Sequence, residues 1–318
     1  MDQDDTFFTV CDNYIPYIYK LCSQEYEQII KKNGKIDSGH SLNHVQKVES
    51  LTRYTLVNYL DFKDSYTLKE YVDEKYGGDQ SCLEVPDDVK VRVLIASLLH
   101  EVGDQKFADK DPISKGVLIN EILERVLKRY PWDCEEMRQD IINMIDYCSA
   151  SVWGDKIPDG SKVYQLIPRW ADRSEATGFI GIVRTMTFAY KKRGNYPLVS
   201  EDDEFPTSMT ELEQMAPPSR WEYYSSGQKK STSGFSHYLD KIVHISGDDI
   251  PVPFMQNIVN EGQKIVKQFV IEFTTKFNKQ FDVDYIISNL DKDEYSLEIK
   301  ELEEMRQVMK AEGCKWIK

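Results

Sequence analysis

The sequence predicts an all-α protein, a helical bundle that carries one long loop insertion. Three observations predict it. Apolar residues recur at three- and four-residue spacing along most of the chain, as they do on a buried helix face. No run alternates apolar and polar residues as a half-buried strand does, and no internal repeat is visible. The breaks between helical stretches are rich in Gly, Pro and Asp, the residues that turn a chain. The 318 residues suffice for one large domain or two small ones. The economical division is a helical arm at 1–35, a main domain at 36–281 with an insertion at 196–233, and a helical tail at 282–318.

The elements follow in order. After Ser41, apolar residues fall at Leu42, Val45, Val48 and Leu51. His44 lies four residues before Val48, so both share the inward face. The stretch from Asp61 to Pro86 is charged and Tyr-rich and ends in "YGGDQSCLEVPDD", a helix followed by a loop. Asp87 or Asp88 is expected to cap the next helix, which runs through Val93, Leu94 and Leu98 to His100, with Gly103 suited to its end. Helices are expected at Ile113–Arg129 and Glu135–Tyr147, then a loop at "SVWGDKIPDGS". Ser161 can cap the helix that follows. Pro168 lies inside that pattern, so the helix starts late or kinks there. Gly178 and Gly181 weaken it unless another helix passes close by. From Tyr196 to Ser233 the text turns to Pro, Ser, Glu and Gly, a long loop with at most a short helix near Met209–Met215. Helices resume at Phe235–Ile245, Met255–Phe281 and Tyr295–Ala311.

Composition narrows the function. Formal net charge is -14, from 54 acidic and 40 basic side chains. That sign repels nucleic-acid polymers and anionic membranes, yet tolerates a small anion held by a few focused cations. Apolar content of 41% supports a packed core. Six cysteines, Cys11, Cys22, Cys82, Cys134, Cys148 and Cys314, show no CxxC spacing, so a zinc ribbon is not expected and a reducing compartment is. The opening "MDQDDTFFTV" lacks a basic segment and an apolar core, so neither a signal peptide nor a membrane span is expected. A cytoplasmic protein is expected from these features.

The apolar run "LIASLLHEVGDQKF" poses the functional question, because it ends in adjacent His100 and Glu101. An imidazole beside a carboxylate costs desolvation energy unless something binds them. The alternatives are a solvated helix end and hydrogen-bonded core histidines. Two features from other helices favour a bound partner. His44 faces inward on one, and Asp172 in "RWADRSEATG" is an acidic residue in an inward apolar pattern on another. Two imidazoles and two carboxylates from separate helices can converge within a bundle. Such a mixed N/O set suits Mn, Mg, Co, Ni, Fe or Zn over a thiolate-preferring metal.

At this point the chain resembles a known family. "HVQKV" (44–48), "LLHEVGD" (98–104) and "ADRSEATGFIGIVRT" (171–185) look like the successive motifs of HD-domain metal-dependent phosphohydrolases. The branch it resembles most is that of nucleotide pyrophosphohydrolases. That branch has a His four residues before the first ligand, as His40 is here, and a "GD.KF" tail matched by Gly103, Asp104, Lys106 and Phe107. It also has an "ADRLDAIGAIGIAR"-like helix and a later "HFYEKL"-like stretch, matched loosely by "SHYLDKI" (236–242). The likeness covers about 38–193 and 235–281.

The resemblance implies one divalent metal held by His44, His100, Glu101 and Asp172, with Glu101 where the family has Asp. The second histidines of two-metal members are missing from "IDYCSAS" (145–151). It implies hydrolysis of a nucleotide, foremost a nucleoside or deoxynucleoside triphosphate to monophosphate and pyrophosphate. Asp104 is the expected water-orienting base, and Lys106, Arg173 and Lys241 are candidate phosphate ligands. Lys106 is also counted with Asp104 among the catalytic groups. His40 and His237 are further candidates for phosphate contact or proton donation. Two alternatives remain: a phosphodiesterase of cyclic or other small nucleotides, and a nucleotide or metal sensor whose catalysis the Glu101 exchange has weakened. The expected partner is a small phosphorylated molecule, and a homodimer is compatible with the sequence.

Overall fold

The structure is a computed structural model that describes residues 15–21, 23–25, 27–28, 41–102, 115–128, 134–228 and 230–318. Among them no strand forms, and an isolated bridge joins Phe281 to Ile317. The all-α expectation holds. The chain divides into two compact units. One comprises 1–36, 40–172 and 251–253, the other 37–39, 173–250 and 254–318.

The first unit is built from α1 (Leu42–Val57), α2 (Tyr66–Tyr76), α3 (Asp87–Leu99), α4 (Lys115–Leu127), α5 (Glu135–Tyr147) and α6 (Ile167–Ser174). α1 and α5 both pack against α3, and α4 packs against α5. α3 is the middle helix, and its composition shows why: Val89, Val91 and every residue from Val93 to Leu99 are buried. A helix apolar all round is stable only inside a core. Each fully buried Leu or Ile there contributes roughly 1.5–3 kcal/mol. α3 begins after Pro86, with Asp87 and Asp88 inside its first turn, not at its cap. There they complement the positive end of the helix dipole. Residues 15–21 are helical, with Ile15, Ile18 and Leu21 buried. The "SVWGDKIPDGS" loop starts with a helical turn at Ala150–Trp153.

α6 starts late, as Pro168 requires. A 3-10 turn at Val163–Leu166 leads directly into Ile167, which puts the proline in the first helical turn, where its missing N–H costs nothing.

The second unit contains α7 (Gly178–Lys191), α8 (Met209–Met215), α9 (Pro218–Ser225), α10 (Gly234–Asp240), α11 (Pro253–Thr275), α12 (Val283–Ser288) and α13 (Ser296–Ala311). α7 packs on α10 and α13. The core is aromatic: Phe273 lies 4.7 Å from both Phe235 and Phe281, ring centre to ring centre. Phe281 N–H donates to Trp316 O at 2.8 Å, and Lys318 N–H donates to Phe281 O at 3.0 Å. Gly178 has φ +66° and packs against Gly262 of α11. A methyl group on Gly262 would come within 2.4 Å of Thr177 Oγ1 and 2.8 Å of Gly178 N. Another helix therefore does pass close to Gly178. Gly181 answers to a different constraint, because a methyl there would meet Ala176 O at 2.2 Å.

Three expectations need correction. Residues 196–233 contain α9 besides the expected α8, and they bury Leu198, Val199 and Leu212. Pro218 is the first residue of α9, so a proline that reads as a breaker is a helix start. α11 stops at Thr275, short of Phe281, because Asn278 and Lys279 turn left-handed at φ 49° and 59°. The 235–245 stretch is α10 followed by a separate 3-10 turn at Ile242–His244.

Candidate metal centre

Four side chains of the first unit come together, and local sequence places each one. α1 starts at Leu42, so His44 falls in its first turn, at the head of the inward stripe His44, Val45, Val48 and Thr52. His100 follows the last residue of α3 with φ -60° and ψ -30°, and Glu101 comes next. Asp172 sits on α6 directly after Trp170 and Ala171, both buried. Tyr71 of α2 packs edge-on against the Trp170 ring, with centres 5.8 Å apart.

His44, His100, Glu101 and Asp172 each offer a donor atom, all within 4.8 Å of one another. The two Nε2 atoms are 3.3 Å apart. Asp172 Oδ1 is 3.2 Å from His44 Nε2 and 3.9 Å from His100 Nε2. Glu101 Oε1 is 3.9 Å from both nitrogens. His44, His100 and Glu101 are buried, whereas the Asp172 side chain keeps 22% exposure, although its Oδ1 is buried.

His100 Nδ1 lies 2.7 Å from Ser97 O. A carbonyl only accepts, so Nδ1 carries the hydrogen. In the neutral ring Nε2 then presents a bare lone pair to the other three donors. A backbone acceptor behind the distal nitrogen is a usual support for a metal-ligating histidine.

The donor set fits a divalent cation. Bond lengths of about 2.0–2.2 Å put neighbouring ligand atoms about 3.0–3.4 Å apart and opposite ones about 4.2 Å apart. The two shortest separations, 3.2 and 3.3 Å, match adjacent ligands, and the three at 3.9 Å fall between the adjacent and opposite values. Two ionised carboxylates bring a formal charge of about -2, which a divalent ion offsets and which burial otherwise penalises. Glu101, one methylene longer than an Asp, delivers an oxygen equidistant from both imidazoles.

The other expected site residues fall elsewhere. His40, Asp104 and Lys106 lie outside the described residues. Arg173, 5% exposed, follows Asp172 along α6 and opens the second unit. His237 and Lys241 also belong to the second unit. His237 Nδ1 is 3.2 Å from Ser231 Oγ, and its ring packs edge-on against Tyr224, with centres 5.4 Å apart. Lys241 caps the C-terminus of α10 with its N–H donating to His237 O at 3.0 Å. Two features were not foreseen: the Ser97 carbonyl behind His100, and the buried carboxylate of Asp140 on α5. Asp140 had a signal in the sequence. It shares the inward spacing of Met137, Ile141, Met144 and Ile145, all buried.

No protein-family model matches the chain. Uncharacterized protein L803 of Acanthamoeba polyphaga mimivirus is 29% identical over 212 residues, which are 64% of this chain and 79% of that protein. Among solved structures, a protein from Lactobacillus plantarum matches with a TM-score of 0.50 and 17% identity, over 81% of this chain and 97% of its own. YpgQ of Bacillus subtilis, solved in complex with ADP, matches with a TM-score of 0.42 and 17% identity, over 80% of this chain and 96% of its own. The Lactobacillus likeness shows a shared all-helical fold and nothing about chemistry. No described helix is long and apolar enough to cross a membrane.

Proposed function

We propose that the chain is a metal-dependent phosphohydrolase of the HD type that acts on a nucleotide, foremost a nucleoside or deoxynucleoside triphosphate. Water and the triphosphate would yield the monophosphate and pyrophosphate. One observation carries the reading. The four residues that match the family's metal motifs, distant in sequence, bring their donor atoms within 4.8 Å of one another.

In this reading His44, His100, Glu101 and Asp172 hold one divalent ion. When bound, that ion supplies Lewis-acid chemistry, polarising a phosphoryl oxygen and acidifying water. The Ser97 carbonyl fixes the His100 tautomer with the hydrogen on Nδ1, so that Nε2 of the neutral ring faces the group. Asp104, four residues beyond His100 in sequence, orients the attacking water and takes its proton. Lys106 and Arg173 offset charge on the phosphoryl oxygens. His40, His237 and Lys241 are candidates for further phosphate contact. The position of Glu101 Oε1 favours a working ligand over the weakened-sensor alternative, because the longer side chain still meets both imidazoles.

The test is a panel of nucleoside triphosphates, deoxynucleoside triphosphates and cyclic nucleotides, each with Mn, Mg, Co and Ni. Release of pyrophosphate from triphosphates is expected. Elemental analysis should show about one metal per chain, lost in His44→Ala and Asp172→Ala. Metal retained in both variants would remove the ligand assignment. Hydrolysis of cyclic nucleotides alone would shift the reading to the phosphodiesterase.

A further inference from the structure

We infer that Asp140 is a positioning residue that fixes the Asp172-bearing helix against the helix that leads into His100 and Glu101; this rests on the metal-centre reading above. α5 supplies no donor to the four-residue group, yet it supplies the carboxylate that ties the ligand-bearing elements together. Asp140 is buried, at 7% exposure. Its Oδ1 accepts from Gln165 Nε2 at 2.6 Å. Its Oδ2 accepts from Arg92 Nη1 at 3.4 Å and from Tyr164 OH at 3.3 Å.

The partners lie on the elements that matter. Arg92 is on α3, seven residues before Leu99, and is held in turn by Asp88 at 2.7 Å. Tyr164 and Gln165 form the 3-10 turn that runs without a break into α6. Gln165 is used at both ends, since its Oε1 also accepts from Lys162 N–H at 2.7 Å. It cannot rotate away from Asp140 without giving up that bond. One carboxylate thus sets where α6 begins relative to α3, and Asp172 stands on the second turn of α6.

The geometry of a metal group makes such a fixture worth its cost. Burial pushes the Asp140 carboxyl above its ordinary range, outweighing the bonds from Gln165 and Arg92 that favour the ion. An apolar residue would fill the same volume with no desolvation penalty. Coordination tolerates little displacement, and groups that orient ligands are commonly worth 10–100-fold in metal affinity.

The experiment compares native protein with Asp140→Asn, Asp140→Ala and Gln165→Met. Amide hydrogen exchange and Co(II) binding are measured at a temperature where circular dichroism shows each variant folded. Asp140→Asn keeps an acceptor for Gln165 and serves if the alanine form does not fold. The expected result is faster exchange in 167–174 than in 42–57, with Co(II) affinity lowered about 10–100-fold and its visible absorption altered. Gln165→Met should reproduce both effects. Unchanged exchange in 167–174, or Co(II) affinity within twofold of native despite a lower Tm, would overturn the inference and leave a network that only stabilises. Native protein that binds no Co(II), with exchange in 167–174 still raised in the variants, would overturn the metal reading while the positioning of α6 stands.

Discussion

Replacing Glu101 probes the proposed centre most directly, because its oxygen is equidistant from two imidazoles, 3.9 Å from each. Three variants separate charge, reach and presence. Glu101→Gln keeps the shape and removes the charge. Glu101→Asp keeps the charge and withdraws the oxygen by at most one carbon–carbon bond, about 1.5 Å. Glu101→Ala removes both. The side chain is 5% exposed, so the charge is a buried one. Breaking a buried charged set costs about 3–5 kcal/mol. At about 1.4 kcal/mol per tenfold, that is a loss of metal affinity between about a hundredfold and a few thousandfold. Ala and Gln should both show it, and both should abolish turnover. Asp should stay within about tenfold of native or exceed it, since a rotamer change can recover part of the reach. Without metal the order reverses. Removing one of two neighbouring carboxylates relieves repulsion, so metal-free Ala and Gln forms should melt no lower than native. Native protein at a hundred times the metal Kd should gain about 2.7 kcal/mol of stability that those variants lack. Calorimetric metal titration, melting with and without metal, and pyrophosphate release measure all of this. Ala that retains both metal and turnover would refute the reasoning, because the carboxylate would then not serve the centre.

Three other outcomes are expected. Lys106→Ala and Arg173→Ala should weaken nucleotide hydrolysis at least tenfold with metal content unchanged, read from steady-state kinetics beside elemental analysis. Gly262→Ala should destabilise by about 1–3 kcal/mol, as overpacking does, because the added methyl would meet Thr177 Oγ1 at 2.4 Å; denaturant unfolding measures it. His244 is held below its ordinary 6.5, first by burial and then by Arg220 and Lys267. A lowered folded pKa means that the unfolded chain takes the proton first. Stability should therefore fall as pH drops below 6.5, and His244→Gln should flatten that slope in a melting series.

The four-residue group was legible in the sequence because each of its residues interrupts a strong local pattern. His44 sits in an inward stripe, His100 and Glu101 close an apolar run, and Asp172 follows Trp170 and Ala171. Helical periodicity gave the faces, and motif order said which faces meet. α1, α5 and α13 were legible to within a few residues for the same reason. What stayed hidden depended on tertiary partners. Composition alone made 196–233 a loop, yet Tyr196 OH donates to Ser233 O at 2.6 Å, and Phe205 packs 4.8 Å from Phe235, ring centre to ring centre. Trp221 of α9 stacks on His244 with centres 6.3 Å apart. Such contacts order a Pro- and Ser-rich stretch that propensity would leave free. Asp140 escaped because an acidic residue on a helix reads as solvated, although its spacing beside Met137 and Ile141 marked it as inward.

The hydrogen bond from His100 Nδ1 to Ser97 O also acts as punctuation. In a continuing α-helix the Ser97 carbonyl would receive the N–H of the residue four positions on, which is Glu101. Here the side chain of His100 takes that acceptor, and Val102 N–H closes a tighter turn onto Leu99 O at 2.9 Å. The apolar run therefore ends without a glycine, at the residue that is to bind. The stop signal and the donor are one side chain, so the centre and the helix terminus cannot be varied separately. A variant that removes the His100 imidazole frees the carbonyl and invites one more helical residue. A His100 variant would thus remove one donor of the group together with the stop that precedes Glu101, whereas His44, in the first turn of α1, can be removed with the rest of the group left standing.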